Sequence, residues 1–201
     1  MKLKSILIML FLFIVYFIFY SISYSYSVSD DLEEELFRLH IIANSDSEED
    51  QTLKIAVRDN IVNYLNTLSF TTKNELVNYL SNNKDEIQHI VQNTIKENGY
   101  NYSSTIEIGN SFYPQKVYEN VTLPSGYYDG LRIKIGNAEG KNWWCVLFPP
   151  MCLINKTTCE LPEESELILQ NTLSEETNSV ITSSTSTYKF KFKIIDFLNN
   201  L

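Results

Sequence analysis

Leu131-Arg132-Ile133-Lys134-Ile135 alternates apolar and charged side chains, residue by residue. A period of two is that of a β-strand with one dry face and one wet face. Upstream, Leu53, Val57, Ile61, Tyr64 or Leu65, and Leu68 recur at three- or four-residue steps. That is the stripe of an amphipathic helix. The period changes once, after Gly99, where a left-handed residue ends a helix without steric cost. Helices first and strands afterwards predict an α+β fold.

From Thr105 onward the strand reading continues. Thr105 to Ile108, Phe112 to Tyr118 and Tyr127 to Ile135 read as strands. Pro124-Ser125-Gly126 turns the chain before the last of these. Gly136-Asn137-Ala138-Glu139-Gly140 turns it afterwards, as a hairpin loop. Trp143 to Phe148 then runs apolar without alternation, as in a strand covered on both faces. Pro149-Pro150 stops it, since neither can donate to a sheet ladder.

Upstream, Leu36 to Ala43 is a short apolar strand halted by Asn44-Ser45-Asp46. Ser45 with Glu48, and Thr72 with Glu75, have the spacing of a helix-opening capping box. Leu76, Leu80, Ile87, Val91 and Ile95 form a second helical stripe. Ser81-Asn82-Asn83 interrupts it, giving one long helix with a weak middle or two in line. The expectation is a single α+β domain, an antiparallel sheet packed on two or three amphipathic helices.

Lys2 and Lys4 precede an unbroken apolar run from Ile6 to Tyr20, the pattern of an export signal. Small residues from Ser21 to Ser29 offer a weak cleavage site. Leu3 to Ile22 also approaches the roughly 20 apolar residues of a spanning helix. Residues 1–29 are therefore a signal peptide or an uncleaved anchor, 30–160 the domain, and 161–201 a tail. In that tail, Asn171 to Tyr188 reads as a Ser/Thr-rich linker. Lys189 to Ile194 reads as a strand or an amphipathic end. The formal charge of −9, from 16 basic and 25 acidic residues, argues against a nucleic-acid partner.

Three cysteines stand at 145, 152 and 159. In an exported chain a pair reads as a disulfide. A reversal at Pro149-Pro150 would bring Cys145 to Cys152, and the alternative is two small buried hydrophobes. Cys159 is left over. No metal ligand set and no cofactor site is read. Acidic Asp46 to Asp50 is explained by the helix macrodipole rather than by calcium. His40 and His89 are the only histidines, and no motif sets either beside a nucleophile.

Two stretches carry a family likeness. One is Arg38-Leu39-His40-Ile41-Ile42-Ala43-Asn44-Ser45-Asp46-Ser47, continuing to Leu53-Lys54 and Val57-Arg58-Asp59. The other is Leu123-Pro124-Ser125-Gly126-Tyr127-Tyr128, then Leu131 to Gly136, then Gly140-Lys141-Asn142-Trp143-Trp144-Cys145-Val146-Leu147-Phe148-Pro149-Pro150-Met151-Cys152. Together they resemble the stage II sporulation protein R family of bacterial endospore formation. The resemblance implies a protein that is not an enzyme, exported from the forespore into the intermembrane space. There it activates a membrane-embedded aspartic protease of the mother cell, which processes a pro-sigma factor. The runner-up reading is an exported cell-envelope hydrolase using His40, Cys145 or His89. The expected receptor patch is Tyr127, Tyr128, Trp144, Phe148 and Pro149, because aromatics beside a stiff turn bind at little entropic cost.

Overall fold

The computed structural model describes residues 3–118, 121–152 and 163–182. Cys159 and the Lys189 to Ile194 segment lie outside the described residues. Helix α1 (Leu3–Glu35) leads directly into strand β1 (Phe37–Ile42). Three helices follow: α2 (Glu48–Asn66), α3 (Lys73–Asn82) and α4 (Lys84–Glu97). Strands β2 (Ser104–Tyr113), β3 (Lys116–Tyr118), β4 (Val121–Leu123), β5 (Gly126–Ile135) and β6 (Asn142–Phe148) come next. Helices α5 (Glu163–Thr172) and α6 (Glu175–Thr182) end the described chain.

The main sheet has the order β2-β5-β1-β6, and β3-β4 forms a separate hairpin. The α+β reading holds, with one difference in pairing. β1 runs parallel to β5 and antiparallel to β6, so the sheet is mixed rather than purely antiparallel. β1 lies between β5 and β6, and the Gly136 to Gly140 turn is consequently not a hairpin loop. It crosses the end of β1, whose backbone takes up hydrogen bonds that a hairpin would have used itself. Gly140 N donates to Ala43 O at 3.0 Å and Glu139 N to Asn44 O at 3.2 Å.

Each face of the sheet has its own core. Leu39, Ile41, Leu131, Ile133, Ile135, Ile106 and Cys145 point to α2–α4 and meet Leu53, Val57, Ile61, Leu76, Leu80, Ile87, Val91 and Ile95. The two helical stripes read from the sequence are thus the buried ones. A second cluster on the opposite face joins Val28, Leu32 and Leu36 to Tyr113, Tyr118, Val121, Leu123, Tyr128 and Val146. Leu169, Leu173 and Ile181 close it from outside. The stretch read as a linker therefore carries α6 at residues 175–182, which buries Thr177 and Ile181.

Local signals resolve in detail. Thr72 caps α3 by accepting from Glu75 N. The N-cap of α2 is Ser47, accepting from Asp50 N, and not Ser45. Ser45 instead donates its hydroxyl to the Asp50 carboxylate at 2.6 Å. Helices α3 and α4 are separate, broken at Asn83. Gly99 has φ +86.

Candidate functional site

The second sheet face holds most of the chain's unusual chemistry. On β1, Leu39 and Ile41 enter the helix-side core, which puts Arg38 and His40 on the other side. Arg38 is fully buried. Its guanidinium carbon lies 4.9 Å from the Tyr113 ring centre and 5.1 Å from that of Tyr128. Nη2 donates to Tyr118 Oη at 3.3 Å. Nε and Nη1 find no protein partner, and among the described residues no carboxylate pairs with this cation. The charge is held by ring faces, which attract cations most where water is excluded. Burial in turn pushes the Tyr128 hydroxyl up to about 12, although the Arg38 charge opposes the shift.

His40 stacks on Trp144, with ring centres 3.6 Å apart and planes 16° from parallel. Its Nε2, carrying the proton, donates to Asn142 Oδ1 at 2.7 Å. Burial lowers its pKa to about 4 against the usual 6.5; the Asn142 bond opposes this, and Arg132 and Lys134 reinforce it. The ring is neutral at neutral pH. Cys145 pairs with Leu39 and faces the helix-side core, so His40 and Cys145 lie on opposite faces. Cys145 is bonded to Cys152, with Cα atoms 5.5 Å apart. His89 is exposed on α4. Among the described residues the arrangement offers no thiolate and no base beside one.

Beyond the sheet, the end of β1 is locked to the β5–β6 turn. Asn44 Oδ1 accepts from Asn137 N at 2.9 Å, and Asn44 Nδ2 donates to Asp50 at 2.8 Å. Lys141 N donates to Asp46 Oδ1 at 2.7 Å, and Lys54 Nζ to Lys141 O at 3.0 Å. Burial pushes the Asp50 carboxyl up, but hydrogen bonds from Ser45, Asn44 and Tyr102 outweigh it and hold it below the usual carboxylate range. A side chain at Gly140 would meet Ser45 O at 2.1 Å, and one at Gly136 would meet Asn44 Oδ1 at 2.2 Å. Asp46 and Asp50 thus bind protein amides and hydroxyls. The two sequence stretches that carry the family likeness converge here into one structure.

Burial divides the residues of the expected receptor patch. Tyr127 is exposed, and Trp144 is half-buried under His40. Tyr128 is 2 % exposed, Phe148 6 %, and Pro149 is buried too. Tyr128 belongs to the Arg38 cage because strand alternation turns it away from Tyr127. Phe148 turns to the helix-side core because the ladder slips between Phe37 and Arg38. These residues are therefore no continuous surface. Sequence reasoning missed Arg38 as a site residue. Its one signal was a cation between apolar neighbours on a strand.

Fold and site define an α+β domain borne on an amino-terminal helix of the export-signal or anchor type. Comparison with known proteins is more specific. The family described as stage II sporulation protein R matches residues 33–158, and the chain belongs to that family. The stage II sporulation protein R of Bacillus subtilis (strain 168) is 35 % identical over 137 residues, which cover 67 % of this chain and 61 % of that protein. The chain thus matches under two thirds of that relative's length. No solved structure matches it. The role of the chain lies in sporulation.

Proposed function

We propose that this chain is an exported signal of endospore formation, passed from the forespore into the intermembrane space. It switches on a membrane-embedded aspartic protease of the mother cell, which then removes the pro-sequence of a sigma factor. The observation that carries the reading is family membership across residues 33–158. That span contains the four-stranded sheet, α2–α4 and the locked turn. An apolar helix ahead of it, long enough to cross a bilayer, supports export or tethering. The hydrolase reading gains no such support, since Cys145 is bonded and His40 faces the other way.

A ligand shifts its receptor only through the difference in its affinity for two receptor states. A rigid domain suits that task, because little is lost in ordering it on binding. The test is co-expression with the candidate protease and the pro-sigma factor in a non-sporulating host. Processing should appear only when this chain is present. Equal processing with and without it would sink the proposal. His40→Gln should retain activation if the chain is a ligand, whereas a hydrolase using His40 would lose its activity.

A further inference from the structure

The β2–β5 ribbon ends in an exposed aromatic pair that no part of the described chain covers. Phe112 and Tyr127 are register partners, 54 % and 59 % exposed. Their ring centres are 5.7 Å apart, edge to face. Val117, on the strand that follows, is exposed as well.

The position of this pair along α1 can be worked out. β1 continues from the end of α1, and β5 runs parallel to it with Gly130 level with Arg38. Earlier residues of β5 therefore run back along α1. Asn110 and Asp129, also register partners, line a cleft with Asp30, Glu33 and Glu34. Lys73 Nζ bridges the same level, 2.9 Å from Asp129 and bonded to Glu33 O. Phe112 and Tyr127 lie two residues further back. At about 3.3 Å per strand residue that is about 7 Å beyond the cleft. At about 1.5 Å per helical residue, the same distance counted back from Asp30 to Glu34 ends on α1 between Tyr26 and Ser29. Tyr26 is itself exposed, as are Tyr24, Ile22 and Tyr20 behind it, and at Tyr20 the unbroken apolar run of α1 is reached.

We infer that the Phe112–Tyr127 pair is a membrane-contact surface, seated in the interfacial layer of the bilayer that α1 enters. Aromatic side chains concentrate at that layer, where an apolar ring and a polar edge are both accommodated. Tyr20, Tyr24 and Tyr26 supply the matching aromatics on the helix. The carboxylates of the cleft sit on the far side of the pair from the bilayer. The contact is therefore apolar and needs no anionic lipid. Helix and ribbon tip together give two attachment points and fix the tilt of the domain on the surface. The inference stands on this geometry alone and not on protease activation.

The test places a tryptophan at the tip. Full-length Tyr127→Trp and, in the turn past the opposite end of β5, Glu139→Trp are reconstituted in phosphatidylcholine vesicles with or without brominated acyl chains. Both should float with the vesicles. Bromination should quench the emission added at 127 by roughly twofold or more, because interfacial rings sit within reach of the upper acyl chain. The emission added at 139 should not respond. Equal responses at the two positions would overturn the inference, as would failure to float. So would lipid-independent emission at 127 combined with loss of processing in a Phe112→Ser/Tyr127→Ser variant, since the pair would then be a protein contact.

Discussion

His40 couples the stability of the domain to pH. Its folded pKa, about 4, lies below the unfolded 6.5, so the unfolded chain takes up the proton first as pH falls. The stability His40 contributes is fully present above about pH 6.5 and is lost between there and about pH 4. The loss amounts to about 3 kcal/mol, since the fall from 6.5 to about 4 is worth about 1.4 kcal/mol per pK unit. Asp50, whose carboxyl is held down, adds its own loss only below the ordinary carboxylate value of 3.8. Urea denaturation at pH 7.5, 5.5 and 4.5 should show the His40 window, and His40→Gln should flatten it. An unchanged pH slope in the variant would show that the ring is not held neutral by its surroundings. Among residues, the stripes at Leu53 to Leu68 and Leu76 to Ile95 were legible because helical period reports burial directly. Tyr128 was not, because sequence gives a strand's alternation but not which face is covered twice.

At the scale of elements, the β5–β6 turn is where substitutions of similar size have opposite effects. Gly140 abuts the Ser45 carbonyl, which is backbone and cannot swing aside. Gly140→Ala should cost about 2–4 kcal/mol, as overpacking against fixed atoms does. Ala138 has φ +55, a conformation that disfavours a Cβ. Ala138→Gly should gain about 0.5–1 kcal/mol. Denaturation midpoints moving the same way for both would refute this account of the turn. The Cys145–Cys152 bond closes a short loop past the end of β6. Reducing it should lower stability by about 2–3 kcal/mol on the chain-entropy estimate, read as a shift in midpoint with dithiothreitol. The turn itself was legible from its glycines. That it spans another strand was not, because β1 lies far away in sequence and nothing local records its insertion.

In the described residues the four-stranded sheet lies between two unequal layers. The helix-side layer, α2–α4, lies within residues 33–158, while α5 and α6 lie beyond the family match. Truncation after Glu160 should therefore uncover the second cluster without dissolving the first. Amide protection should persist in α2, α4 and β1, fall in the β3–β4 hairpin, and be accompanied by dye binding to the exposed apolar face. Protection lost throughout would mean that the two cores fold as one unit. At this scale the layering of strands on helices was legible from the change of period at Gly99. The second layer was missed because α6 shows only Thr177 and Ile181 buried in a Ser- and Thr-rich stretch.

The place of β1 sets an order of events. The strand nearest the amino terminus is central in the sheet, and its partners Gly130 to Lys134 and Asn142 to Phe148 follow it by about 90 to 110 residues. Pairing so remote in sequence is slow and cannot begin piecemeal. A chain threading a translocation channel amino-terminus first would emerge with β1 unpartnered until β5 had followed it, and paired on one edge only until β6 did. On an exported chain, strand insertion would then be a latch that closes only late in passage, leaving the sheet open while the channel still holds β5 and β6.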